Sequence, residues 1–320
     1  MSKTFSFMWY NTENFYDTVD DPETMDDEFT PQGHYHWTQK RFDDKVDKLA
    51  HVITDIVKPD IPSIIGLAEI ENKTVIMAIV EKLHEKGMKN YSFVHYDSPD
   101  ERGSDVAMIY NSQTFRVEES KPILVRLPGI EDRTRDILYV KGKTTNALTL
   151  YLLFTHFPSR REGTEQSERR RYFIASELRN AVYKIRQDDS NAHIVISGDF
   201  NDTPDDHSIA EVLGAQKKFN KIDSAKLYNL LYPRHQRGIG STYYKGWLLF
   251  DQFIVSGSLL LSDKMECKPE NADVFNPRYL IYFNQQKQAR PNRTYAKRYI
   301  GGYSDHLPIF MKCRLVDKEE

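Results

Sequence analysis

Residues 193–201 read HIVISGDFN, a short apolar run that ends in Gly198, Asp199, Phe200 and Asn201. Ile194, Val195 and Ile196 are β-branched, and such residues pack well on a pleated, buried surface. Glycine, an acid and an amide in Gly198, Asp199 and Asn201 disfavour a continued strand, so the chain is expected to turn there with polar side chains at the strand end. Ligand sites of α/β sheets gather at such ends. The same pattern recurs along the chain. The run 5–10 ends in Asn11-Thr12-Glu13-Asn14, and 64–68 ends in Glu69-Ile70-Glu71-Asn72. The run 150–154 ends in Thr155-His156-Phe157-Pro158-Ser159. Asp251 stands inside the apolar run 247–255, and Gly302-Tyr303-Ser304-Asp305-His306 precedes the last run, 307–315.

Working outward, further strand-like runs fall at 91–96, 105–110 and 136–141. Between them apolar residues step at helical spacing: Phe42, Val46, Leu49, Ile53 and Ile56; Ile76, Ile79, Val80 and Leu83; Phe173, Ile174, Leu178, Ala181, Val182 and Ile185. Helices between strands predict a layered α/β (α+β) fold. Hairpin-like turns around Asn111 and across 141–146 add antiparallel pairing, so the sheets should be mixed. No repeat or linker divides the chain, and one domain over residues 1–320 is expected.

Composition narrows the class. Apolar residues make up 39% and charged residues 28%, a balance that supports a sizeable core. Lys and Arg number 44 against 47 Asp and Glu, a net charge of −3, so any pull on nucleic acid must come from a local basic patch. Cys267 and Cys313 have no metal-finger spacing; they fit free thiols in a reducing compartment, with a pairing between them as the alternative. No apolar stretch is long enough to span a membrane, and no apolar leader precedes the first strand. The default expectation is a cytoplasmic monomer, or a secreted or periplasmic one if a leader has been trimmed from the chain.

If the strand ends converge, they gather four carboxylates (Glu69, Asp199, Asp251, Asp305), two amides (Asn14, Asn201) and two histidines (His156, His306). That set suits phosphoryl chemistry. Hard cations such as Mg²⁺ take oxygen ligands, and the cation offsets charge that develops on phosphate oxygens. A histidine held by a carboxylate can orient or deprotonate water. Taken singly, several members have plainer readings. Asn14 suits a turn or cap, Glu69 a helix cap, His156 a satisfied strand end, and Asp199 with Asn201 an Asx turn. Asp251 within an apolar strand must be paired or functional.

Taken in order, the segments YNTENFYD with Asn14, GLAEIEN with Glu69, FTHFPSR with His156, SGDFND with Asp199 and Asn201, FDQFIVS with Asp251 and GGYSDHLPIF with Asp305-His306 resemble the endonuclease/exonuclease/phosphatase superfamily, whose fold is that of deoxyribonuclease I. The match runs from about Phe5 to Arg314 and looks most like bacterial members known as predicted nucleases or phosphatases. The resemblance implies a four-layer sandwich, two mixed β-sheets face to face with helices outside, and a Mg²⁺ or Mn²⁺ site. It makes Glu69 the principal metal ligand, with Asn14 and Asp305 close by. Asp251 would orient His306, which would position or activate the attacking water. Asp199 and Asn201 would contact the scissile phosphate or its metal, Asn201 steadying the transition state. His156 would touch phosphate or protonate the leaving oxygen, with Asp105 or Glu101 as its candidate partner. Abasic-site endonucleases tend to carry tyrosine there, so the chain looks closer to the deoxyribonuclease, sphingomyelinase and phosphatase branches. Arg135 matches a phosphate-facing arginine of deoxyribonucleases; a solvated strand-edge charge is the alternative.

Other segments carry less. Lys141-Gly142-Lys143-Thr144 lacks the first glycine of a phosphate-binding loop, and there is no GxSxG and no HExxH. The acidic run 17–28 reads as a solvated loop, with His34 and His36 on its surface. Two basic stretches could hold phosphates: Arg160, Arg161, Arg169, Arg170 and Arg171 after the His156 motif, and Lys287, Arg290, Arg293, Lys297 and Arg298 interleaved with Tyr295 and Tyr299 before Asp305. The expected partner is a phosphoester substrate. A polynucleotide phosphodiester leads, and a phosphomonoester or lipid headgroup is the alternative. A binding module that has lost catalysis is disfavoured, because no motif position is missing.

Overall fold

The computed structural model describes residues 3–127, 134–160 and 164–316. Two seven-stranded sheets dominate. The first contains β1 (Lys3–Phe15), β2 (Ile64–Ile70), β3 (Tyr91–His95), β4 (Asp105–Asn111), β14 (Met265–Glu266), β15 (Ala272–Val274) and β18 (Ile309–Leu315), in the order β14-β18-β1-β2-β4-β3 with β15 also on β18. The second runs β5-β6-β7-β8-β13-β10-β9, from β5 (Phe115–Ile123), β6 (Ile137–Thr144), β7 (Thr149–His156), β8 (His193–Asp199), β9 (Ala215–Gln216), β10 (Leu227–Asn229) and β13 (Asp251–Ser256). Two short hairpins, β11 (Thr242–Tyr243) with β12 (Trp247–Leu248) and β16 (Ile281–Phe283) with β17 (Ala289–Pro291), stand apart. Both large sheets are mixed: β1 and β2 are parallel, as are β7 and β8, while most other neighbours are antiparallel.

Period-two alternation builds the layers. On β7, Leu150, Leu152 and Phe154 join the core between the sheets, while Tyr151 and Leu153 join a second core beneath α3 (Thr164–Asp188). Trp9 of β1 stacks on Phe154 of β7, centroids 6.3 Å apart. Gly66 lies where the sheets touch, and a Cβ there would meet both rings at 2.6 Å. On the far side of the first sheet, α1 (Gln39–Asp55) and α2 (Lys73–Glu85) bury Phe42, Val46, Leu49 and Ile53, and Val75, Ile76, Ile79 and Leu83. The result is helix, sheet, sheet, helix, the expected sandwich.

Three details differ from the sequence reading. The turn after Asn111 is not a hairpin: β4 pairs with β2 and β3, whereas β5 pairs with β6 in the other sheet. Local turn chemistry at Asn111, whose side chain accepts from Gln113 N–H, cannot report which sheet the next strand joins. β5 itself escapes an apolar-run search because, as an edge strand, it is largely polar and exposed. Cys267 and Cys313 form a disulfide, brought together because the segment from Met265 pairs with β18. Among the described residues no helix is long and apolar enough to cross a membrane.

Candidate active site

Topology brings the strand ends together. β1 and β2 are parallel, so Asn11 and Glu69 emerge at one edge, and antiparallel β18 begins at that same edge, just after His306. In the second sheet β7 and β8 are parallel and pair His156 with Asp199; antiparallel β13 starts opposite, pairing Asp251 with Asp199. The backbone is forced at these ends. Glu13, Asn14, Glu69 and Asn201 all have positive φ, between 47° and 61°, without being glycine. Such conformations cost of order 1–3 kcal/mol each and persist where surrounding structure imposes them, often at functional sites.

The sheets are joined by side chains across this edge. Trp9 Nε1 donates to Asp251 Oδ1 at 2.8 Å, and His306 Nδ1 lies 2.6 Å from Asp251 Oδ2. His306 Nε2 then points at Asp199 Oδ2, 3.7 Å away. His156 Nε2 approaches the same oxygen at 3.6 Å and Glu69 Oε1 at 3.8 Å. Asn11 Nδ2 donates to both Glu69 (3.1 Å) and Asp199 (3.0 Å), linking the two carboxylates. Asn201 accepts nothing from these groups; its N–H donates to Asp199 Oδ1 and its Nδ2 to Phe157 O.

Electrostatics separates the acids. Glu69 is desolvated, yet His156, Arg102, the Asn14 N–H and Asn11 together hold its carboxyl down to about 2. Burial pushes Asp199 up to about 7, helped by Asp251 and opposed by His306. Burial would pull His306 down, but Asp251 and Asp199 outweigh it and hold its imidazolium well above the usual histidine range. Burial pushes His156 down to about 4, and its Nδ1 has no partner among the described residues.

The candidate residues thus fall into two groups. Glu69, His156, Asp199, Asn201, Asp251, Asp305 and His306 meet at one edge. Asn14 reaches it only through its backbone N–H, 2.6 Å from Glu69 Oε2; the side-chain amide between the carboxylates belongs to Asn11. A bulge after Asn11 and the left-handed Glu13 and Asn14 set that choice, which the string NTEN cannot display. Arg135 is neither a solvated edge charge nor among these contacts: it is buried, its Nε 3.5 Å from Asp100 Oδ2. Asp105 binds His95 (3.0 Å) and Ser98 N–H rather than His156, and Glu101 is exposed. Trp9, Arg102 and Asn11 are the residues that sequence reading missed. Asn11 had a signal, being the first polar residue beyond the strand; Trp9 and Arg102 had none.

The basic stretches also resolve. Arg160 is spent on Asp202, Asp206 and the Asn201 carbonyl, and Arg171 lies 2.8 Å from Asp202, so they brace the Asn201 loop. Arg161 lies outside the described residues. Arg293 bridges Glu13 and Asp305. Tyr295 is buried among Phe29, Tyr35 and Trp37, so it offers no face to a base.

A four-layer sandwich with acids, amides and a His–Asp pair at one shared sheet edge is the architecture of a phosphoesterase. A sequence model of the Endonuclease/Exonuclease/phosphatase family matches residues 6–315, and the chain belongs to that family. Among solved structures, a humanized D. rerio TDP2 with 14 mutations is similar in fold: TM-score 0.59, 16% identity, covering 97% of this chain and 98% of that one. An endonuclease/exonuclease/phosphatase family protein of Bacteroides thetaiotaomicron reaches TM-score 0.59 at 13% identity, covering 99% of both chains. The human Nocturnin catalytic domain gives 0.57 at 14%, covering 98% of both. A search of curated proteins finds no match. The chain is therefore a phosphoester hydrolase of a divalent-metal-dependent family.

Proposed function

We propose that this chain is a divalent-metal-dependent phosphodiesterase, acting as a one-domain monomer, in which Asp199 and His306 hold the attacking water. The observation that carries this reading is the 2.6 Å contact of His306 Nδ1 with Asp251, which leaves Nε2 facing Asp199 at 3.7 Å. The donors beside that pair fit a hard cation. Glu69 is ionised and largely buried, Asp305 keeps a partly exposed carboxylate, and no thiolate is present. Glu69 and Asp305 would hold Mg²⁺ or Mn²⁺, which when bound offsets charge on the phosphoryl oxygens.

The chain's own groups do the rest. The water oxygen attacks phosphorus as its proton passes to Asp199, while the P–O bond to the leaving oxygen breaks and that oxygen takes its proton from solvent; the His306 imidazolium holds Asp199 and the water in place. Asp199, pushed up to about 7, suits that exchange near neutral pH. Asp251, fixed by Trp9, keeps the imidazole aimed. His156 stays neutral, so it supplies a hydrogen bond to phosphate rather than a proton. Asn201 has one amide N–H beyond its bond to Phe157 O, available to the oxygen that gains charge.

A polynucleotide is the substrate we favour; a structure of D. rerio TDP2, similar in fold, is complexed with single-strand DNA product. The test is hydrolysis of ethyl p-nitrophenyl phosphate before and after exhaustive chelation, with Mg²⁺ or Mn²⁺ added back. Loss and recovery are expected. Full turnover in the chelated protein would sink the metal assignment. Parallel assays on DNA, RNA, sugar phosphates and phospholipids then rank the polynucleotide against the monoester and lipid alternatives.

A further inference from the structure

The two short hairpins flank the reacting edge. Thr242 of β11 bridges to His306 and its hydroxyl donates to the Asp305 carbonyl at 2.9 Å, so Tyr243 begins where the site ends. From Arg290 on β17 the chain continues to Arg293, which is ion-paired to Asp305, a span of at most roughly 10 Å at strand spacing. Three rings are well exposed here: Tyr244 at 70%, Tyr282 at 54% and Phe283 at 45%. Cations lie among them. Arg290 sits over the Tyr243 ring at 4.8 Å, with Tyr282 as its cross-strand partner, and Lys245 sits 5.5 Å from the Tyr244 ring. The tip between β16 and β17 reads Asn284-Gln285-Gln286-Lys287-Gln288, amides with one lysine, and Gln285, Gln286 and Lys287 are exposed.

We infer that these hairpins form a platform for the unpaired bases of a nucleic-acid strand whose scissile phosphate lies at His306, an inference that rests on the phosphodiesterase reading above. Rings offer stacking faces to any base, and interleaved cations meet phosphates. Amides hydrogen-bond the base edges. The tip argues against insertion into a lipid bilayer, since that would bury its amides and the Lys287 charge without partners. A paired duplex hides its base faces, so the platform selects single strands. Two arginines then divide the work assigned to one basic stretch: Arg290 meets substrate, whereas Arg293 is committed to Glu13 and Asp305.

The experiment compares Tyr244→Ala/Tyr282→Ala with the parent on single-stranded DNA, single-stranded RNA, the matching duplexes and ethyl p-nitrophenyl phosphate. All are run at several salt concentrations with Mg²⁺. Single-strand kcat/KM is expected to fall about ten-fold, mainly through KM, with the small diester unchanged and Tyr244→Phe/Tyr282→Phe near the parent. Arg290→Ala should flatten the logarithmic salt slope by about 0.7 for each phosphate that the guanidinium neutralises. The DNA and RNA arms show which sugar the platform accepts. Unchanged single-strand kinetics, equal loss on duplex, or parallel loss on the small diester would each overturn the platform. So would phosphatidylserine-vesicle binding that disappears in the alanine variant while oligonucleotide cleavage persists. A parent that cuts the small diester but no oligonucleotide overturns the platform alone. A parent that cuts neither overturns the phosphodiesterase reading itself.

Discussion

Asp251 is the residue whose environment says most. A fully buried carboxylate in a strand is tolerable only when its oxygens are satisfied, and here Trp9 takes one and His306 the other. Removing either member of the His306–Asp251 pair should therefore disable the water without unfolding the chain. His306→Ala and Asp251→Asn are each expected to lower kcat by about two to four orders of magnitude. Steady-state kinetics on ethyl p-nitrophenyl phosphate, with circular dichroism as the check on folding, measures this. Near-parent turnover in a folded variant would place water activation elsewhere. At this scale the sequence was legible for Asp199, Asn201, Asp251 and His306, because each interrupts an apolar run or a strand end. It was not legible for Asn11 against Asn14. The choice depends on backbone angles at Glu13 and Asn14 that follow from the contact of β1 with β2, not from their own identity.

Elements hold the site through the contact between sheets. Trp9 is both a layer of that contact and the donor to Asp251, so packing and chemistry share a residue. Gly66, opposite Trp9 on β2, leaves no room for a side chain between the two rings. Gly66→Ala would push a methyl against Trp9 and Phe154, and overpacking of this kind costs about 1–3 kcal/mol. Urea unfolding should show that loss, accompanied by a drop in kcat as Trp9 shifts from Asp251. A variant as stable and as active as the parent would mean the sheets have slack there. The helices α1, α2 and α3 were legible from their apolar spacing. The destination of β5 was not, because a turn at Asn111 closes equally well whether the next strand stays in one sheet or crosses to the other.

The whole molecule concentrates buried acids at one edge, and its stability should show it. Glu13 and Glu71 are pushed up to about 8 and Asp199 to about 7, in each case chiefly by burial. The folded chain holds these protons more tightly than the unfolded chain. Their contribution is complete below about pH 4, the ordinary carboxylate range, and is lost as pH rises through the native values. His156, held at about 4, works in the opposite direction but is outnumbered, and Lys45, lowered to about 7 by burial, adds its slope only above that pH. Chelated protein is therefore expected to lose several degrees of Tm between about pH 5 and 7. Mg²⁺ should shrink that loss, because a cation beside Glu69 and Asp305 favours ionised acids. A Tm that climbs across this range in chelator, measured by calorimetry, would contradict the buried-acid account.

What the sequence determined by itself was the class of fold and the chemical inventory. Periodicity in apolar residues is a local property, and a strand that ends in Gly-Asp-Phe-Asn, or one that is preceded by Ser-Asp-His, displays its acids whatever surrounds it. Only the tertiary structure decided which side chains meet. Cys267 and Cys313 are 46 residues apart and bonded, Arg293 is tied to Glu13 across 280 residues, and Tyr295 is buried while Tyr244 is open. Pairing across such separations depends on how sheets stack and which edge each strand ends on. Those are properties of the summed packing of the chain, and no single stretch of sequence carries them.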